Sequence, residues 1–177
     1  MLIVTANWYV LTGGPSSGKT TTVNLLASRG YKTTIEHARH YLDTTAINGR
    51  TVEEVRSNQK EFQHGIARMQ IDQERALDPR DTVFLDRALP DSIAYCRFLG
   101  IDPDSELLDA VKKATYKKVF LLDLLPLHAD YARIEDSAAQ LKIHSLLANA
   151  YEELNFQIVR VPVLPPEQRV DYILRNL

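Results

Sequence analysis

The segment Gly13-Gly14-Pro15-Ser16-Ser17-Gly18-Lys19-Thr20 constrains this chain more than any other stretch of it. It fits G-x-x-x-x-G-K-[ST] without a gap. Trp8 to Thr12 before it is an apolar run of strand length, and Ser17 to Arg29 after it reads as a helix closed by Gly30. A glycine loop between a buried strand and a helix is a cradle for phosphate. Gly13 and Gly18 permit backbone angles and a close approach that a side chain would block. The backbone from Gly13 to Thr21, through Gly14, Pro15, Ser16 and Ser17, can then wrap a polyphosphate with its N–H groups. The following helix adds the positive end of its dipole. Lys19 reads as a solvated loop lysine that brings a cation to the β- and γ-oxygens, and Thr20 as a hydroxyl ligand for Mg²⁺. The guanine motif N-K-x-D does not occur, and Asp86 is followed by Arg87-Ala88-Leu89 rather than by the D-x-x-G of a switch. ATP with Mg²⁺ is therefore the expected ligand.

The rest of the chain alternates short apolar strands with helical stretches. Strands are expected at Tyr31–Ile35, Thr82–Leu85, Lys118–Leu122 and Phe156–Val161. Helices are expected at Thr51–Leu77, Pro90–Leu99, Ser105–Thr115, Ser137–Leu154 and Pro166–Leu177. The long helix carries the stripe Val52, Val55, Phe62, Ile66, Met69, Leu77 at helical spacing, which Gln59 and Gln73 interrupt. Strands without a polar face, alternating with helices, argue for an α/β fold with a parallel sheet covered on both sides. At 177 residues and 45% hydrophobic, the chain has the size of one domain, taken as 1–177. The net charge of −2 offers no general field for a polyanion, so no nucleic-acid partner is expected. Cys96 is the only cysteine, which excludes an internal disulfide and reads as a buried thiol. No apolar run approaches the ~20 residues of a membrane helix. With no basic, apolar leader at the start, a cytoplasmic protein is expected.

Ligands of parallel sheets sit at the carboxyl ends of the strands, so the residues that follow each strand carry the next expectations. Val83-Phe84-Leu85-Asp86 is an apolar strand ending in an acid, the usual Mg²⁺ partner in a phosphate-loop protein. Arg87 follows at once and can reach substrate or phosphate. Glu36 ends the second strand, where a carboxylate can take a proton from an acceptor hydroxyl. Arg39, one helical turn on, can hold an anionic substrate. Arg133 stands in the polar connection Asp130 to Asp136 after Lys118–Leu122, a candidate lid that closes on the transferring phosphoryl group. Gln63 is among the glutamines of the long helix, whose amides can read a base or amide edge.

These segments together resemble a known group. GGPSSGKTT, IEHARHYL, VFLDRALPDSIAYCRFLG, VFLLDLLP with D-x-x-R, and VRVPVLPPEQRVDYIL are similar to the small AAA-type ATP-binding domain family of P-loop kinases. That family includes the nicotinamide-riboside kinase domain. The resemblance runs from about Asn7 to Leu177. It implies a three-layer P-loop NTPase fold with a five-stranded parallel sheet in the order 2-3-1-4-5. It also implies catalytic roles for Lys19, Glu36, Arg87 and Arg133, with Thr20 and Asp86 on the metal. Glu36, Arg39 and Arg87, which match the family's motifs, would contact substrate together with Gln63, read above from the long helix, and by resemblance the loop Val163 to Pro166 would lie by the adenine. The expected activity is ATP-dependent transfer of phosphate to a hydroxyl of a small, nucleoside-like molecule. The alternatives are an ATPase and a nucleotide-binding regulatory protein with no acceptor.

Overall fold

The structure, a computed structural model, describes residues 5–37, 51–126 and 134–177. Its strands are β1 (Trp8–Thr12), β2 (Lys32–Thr33), β3 (Val83–Asp86), β4 (Lys118–Leu122) and β5 (Ile158–Val161). The helices among the described residues are α1 (Lys19–Ser28), α2 (Val52–Ser57), α3 (Gln59–Ala76), α4 (Leu89–Leu99), α5 (Ser105–Lys113), α6 (Ile134–Glu153) and α7 (Pro166–Arg175). All strand pairs are parallel, and the sheet order is β2-β3-β1-β4-β5. This is the order that the family resemblance implies.

The strands are apolar throughout because both faces are covered. Tyr9 and Leu11 pack with Phe84, Phe120, Val161 and the α1 and α7 residues Val23, Leu26, Val170 and Ile173. Trp8 and Val10 point the other way, into a layer with Val83, Leu85, Val119, Tyr116 and Tyr151. This is the period-two alternation of a strand with two buried sides. Cys96 is buried on α4, and burial pushes its thiol up to about 11, with Asp104 adding to the shift. The thiol therefore stays protonated and packs as a small apolar group.

Two expected elements differ. The strand expected over Tyr31–Ile35 pairs only at Lys32–Thr33, at the edge of the sheet. Thr34 then turns its hydroxyl to accept the Asp86 N–H at 2.9 Å, and Ile35 is 55% exposed. The helix expected over Thr51–Leu77 is two helices broken at Asn58. Thr51 and Glu54 close a capping box on α2, and Asn58 Oδ1 accepts the Glu61 N–H to start α3. An asparagine makes this local bond more readily than it continues a helix. The buried face of α3 is Phe62, Gln63, Ala67, Gln70, Ile71 and Glu74. Only Phe62 of these is in the expected apolar stripe, because the inner face of α3 borders a polar pocket.

Candidate active site

The phosphate loop leaves β1 at Thr12 and enters α1 at Lys19. Gly13 has φ 154°, and a Cβ there would lie 2.8 Å from the Leu122 carbonyl and from Ser17 Oγ. Gly18 has φ 75° and caps α1 in the left-handed region. A Cβ there would meet the Arg169 guanidinium at 2.8 Å. Both positions therefore require glycine. No side chain caps α1 and no acid lies in its first turn, so its N-terminal N–H groups stay open toward the loop. Gly14, Pro15, Ser16, Ser17, Gly18, Lys19, Thr20 and Thr21 line a cavity of about 400 Å³. The Gly14 N–H is already used: it donates to His144 Nδ1 on α6 at 3.1 Å. Burial holds the His144 pKa below its usual value, outweighing Asp123, which keeps Nδ1 free to accept. From behind, Arg169 of α7 donates to the Ser17 carbonyl. It is 2% exposed, and its Nε and Nη2 have no hydrogen-bond partner among the described residues.

Lys19 is not solvated. It is 6% exposed, and its Nζ sits 2.5 Å from Asp86 Oδ1, itself 4% exposed. The parallel register explains the meeting: Leu11 at the end of β1 pairs with Asp86 at the end of β3. Mg²⁺ in such sites takes one or two protein oxygens besides phosphates and water. Thr20, exposed at the cavity, and the Asp86 carboxylate, buried against Lys19, are oxygen donors of the kind that set needs.

Arg87 stands next, with φ 69°, a backbone conformation that side-chain-bearing residues seldom adopt. Its N–H donates to Leu11 O at 3.0 Å, which anchors the turn. Its guanidinium lies 3.0 Å from Asp91 Oδ1 and 3.8 Å from Glu36 Oε1, and stacks 5.2 Å from the Tyr95 ring centre. Burial would lower its pKa, but Tyr95, Asp91 and Glu36 outweigh that and raise it. Asp91 is the fixed point of the group. It also accepts from Thr12 Oγ1 at 2.7 Å, from the Ala88 N–H at 3.2 Å and from the Tyr151 hydroxyl.

Beyond Glu36 and Arg87 lies an inner pocket of about 110 Å³. Phe62, Ile66 and Tyr95 give it apolar walls, and Gln63, Gln70, Asp91 and His37 its polar ones. Gln63 is 6% exposed and has no hydrogen-bond partner among the described residues. Gln70 is held by Glu74, which also accepts from Tyr116. Glu36, Arg87 and Tyr95 line both this pocket and the phosphate-loop cavity.

Burial raises Glu74 from 4.5 to about 7, against the opposing hydrogen bonds of Gln70 and Tyr116. The folded state thus holds a proton that the unfolded state has lost between those two values. Stability therefore falls as pH rises through that window, by about 3 kcal/mol in all. Glu74→Gln removes the ionisation. Between pH 5 and pH 8 the variant is expected to gain about 2–3 kcal/mol relative to the parent in urea unfolding. Parallel stability curves would contradict the shift.

The structure thus brings Lys19, Glu36, Arg87 and Gln63 to two cavities that share Glu36, Arg87 and Tyr95, with Asp86 buried against Lys19. Arg39, Arg133 and the candidate lid up to Arg133 lie outside the described residues. Gln59 and Gln73, whose interruption of the stripe points to a polar pocket, are not the glutamines that line it; Gln63 and Gln70 are. Sequence reasoning assigns no role to Asp91, Tyr95, Glu74, His144 or Arg169. For Asp91 a signal exists, since an acid after Pro90 in the first turn of a helix is a cap position. His144 and Arg169 meet the loop from 130 and 152 residues away, and no local pattern marks them.

No curated protein matches the chain in sequence. Among solved structures, a thymidylate kinase from Ehrlichia chaffeensis superposes with TM-score 0.63 at 15% identity, covering 96% of this chain and 97% of that one. Deoxyadenosine kinase from M. mycoides gives 0.64 at 12%, with the same coverage. NadR in complex with NAD and AMP-PNP gives 0.67 at 16%, covering 96% of this chain, which spans 49% of that one. These likenesses establish the fold of P-loop nucleoside and nucleotide kinases. The sequence model of a family described as AAA domain matches residues 8–169, and the chain belongs to that family.

Proposed function

We propose that the protein is an ATP-dependent phosphotransferase acting on a hydroxyl of a small, nucleoside-like molecule. One observation carries this reading: the phosphate-loop cavity and the inner pocket meet at Glu36, Arg87 and Tyr95. A γ-phosphoryl group held by the loop and a hydroxyl held in the pocket would face each other there. The similar folds, among them a deoxyadenosine kinase and a thymidylate kinase, support the acceptor class.

In this reading Lys19 and the α1 N-terminus hold the β- and γ-phosphates. Thr20 and Asp86 would hold Mg²⁺, which when bound neutralises phosphate charge. Asp86 would exchange its contact with Lys19 for that role. Arg87, fixed by Asp91, presents a permanent positive charge where charge builds up during transfer. Glu36 takes the acceptor proton. Gln63 meets the ring edge of the acceptor, and the walls Phe62, Ile66 and Tyr95 suit a planar ring. Arg39 and Arg133 keep their proposed substrate and lid roles.

The test is ADP release from ATP and Mg²⁺, with and without a panel of nucleosides, nucleotides, vitamins and sugars. A member of the panel that stimulates release supports the kinase. Hydrolysis that no acceptor changes would make the protein an ATPase. Tight ATP binding without turnover would make it a regulatory module.

A further inference from the structure

The amide of Gln70 is held from behind. Its Nε2 donates to Glu74 Oε1 at 2.7 Å and to the Arg87 carbonyl oxygen at 3.4 Å. Both partners are acceptors. Turning the amide over would press its oxygen against a carboxylate and a carbonyl, so the nitrogen stays on the inner side. Gln70 is 3% exposed and lines the inner pocket. With both N–H groups engaged, its carbonyl oxygen is the group left for the pocket.

Glu74 is held in turn. The Tyr116 hydroxyl accepts the Leu89 N–H at 3.3 Å, so its own proton goes to Glu74 Oε2 at 2.8 Å. Each Glu74 oxygen thus faces a donor, Gln70 on one side and Tyr116 on the other. Above its raised pKa of about 7 the Glu74 carboxylate meets both, whereas an amide in its place can meet only one.

We propose that Glu74, acting through Gln70, sets the hydrogen-bond polarity of the inner pocket, which therefore selects a phosphoryl acceptor whose ring edge carries an exocyclic amino group. This rests on the reading of the pocket as the acceptor site. A ring edge that offers a carbonyl there meets the Gln70 oxygen with its own. A buried, unmatched polar pair of this kind lowers affinity by roughly 10- to 100-fold. Gln63 does not set the polarity, because no described residue holds its amide, which can turn to either edge. Glu74 is a positioning residue, touching no substrate itself.

Glu74→Gln separates polarity from packing. Its carbonyl must face the Tyr116 proton, so its NH₂ faces Gln70. Gln70 then turns its oxygen inward, giving up the longer 3.4 Å contact with the Arg87 carbonyl, and presents N–H groups to the pocket. The experiment measures kcat/KM above the Glu74 pKa of about 7 for adenosine against inosine and for cytidine against uridine, pairs of equal size with inverted ring edges. In the parent, the amino member of the pair that reacts is expected to lead by roughly 10- to 100-fold. In Glu74→Gln the preference reverses. In Gln70→Met, which keeps length and removes the acceptor, the ratio approaches one. If Glu74→Gln does not fold, Glu74→Met frees the Gln70 amide and also brings the ratio toward one. A parent without preference for the amino member overturns the inference. So does a Glu74 variant that slows both members equally, which would make the residue structural only. In both of these cases the kinase reading stands, because phosphorylation is still observed. Failure of all four nucleosides to bind or react would overturn the inference together with that reading.

Discussion

Replacing Lys19 by alanine is expected to abolish turnover and to cost stability as well. The first effect follows from the loop: Lys19 is its only lysine and lines the cavity where a triphosphate would sit. The second follows from the fold. Lys19 Nζ and Asp86 Oδ1 are 2.5 Å apart, and both side chains are almost fully buried. Removing one partner leaves a buried carboxylate without its countercharge, a loss of about 3–5 kcal/mol. Lys19→Ala with Asp86→Asn removes the stranded charge. The double variant is expected to recover most of the stability and none of the turnover. Urea unfolding, ATP calorimetry and ADP release on the two variants separate the effects. Parental ATP affinity in Lys19→Ala would remove the residue from nucleotide binding. Unchanged stability would mean that the ion pair contributes nothing to the fold.

Glu36→Gln is expected to lower acceptor phosphorylation by ~10²–10⁴-fold while changing ATP affinity only modestly. Glu36 lies where the phosphate cavity and the inner pocket join, and it is partly open to both. Its side chain is 31% exposed and only 3.8 Å from Arg87 Nε, so it contributes little to holding that arginine. Arg87 keeps its closer contact with Asp91 at 3.0 Å. The stability change should therefore be about 1 kcal/mol or less. Acceptor phosphorylation and acceptor-free hydrolysis are measured side by side for parent and variant. An equal loss in both would make Glu36 an activator of water. Near-parental phosphorylation would take Glu36 out of the mechanism.

The phosphate loop is legible in the sequence because its geometry is local. Gly13, Gly18, Lys19 and Thr20 are near neighbours, and a strand before and a helix after suffice to shape them. Asp86 and Arg87 are legible for a related reason. In a parallel sheet whose strands run side by side, the end of any apolar strand is on the ligand edge. Leu11 opposite Asp86 is that rule in coordinates. The sheet order is another matter, since nothing in the strands states which neighbour each takes. It enters through the family resemblance, and the pairing of β1 with both β3 and β4 bears it out.

Only tertiary packing decides the environment of each charge. Lys19 reads as a solvated lysine until β3 sets Asp86 against it and both are shut from water. The buried face of α3 carries Gln63, Gln70 and Glu74 rather than the whole apolar stripe. Helical spacing ranks residues by hydrophobicity, and a helix that borders a polar pocket turns some of its polar residues inward. Asp91 gathers Thr12, Ala88, Arg87 and Tyr151 from three separate regions of the chain. His144 and Arg169 reach the loop from α6 and α7. Such groups are chosen by proximity in space, and hydrogen bonds fall off within a few ångströms whatever the separation along the chain. Local spacing therefore determines the loop that would hold the phosphates, while the packing of α3, α4, α6 and α7 onto the sheet decides which protein charges and amides surround it.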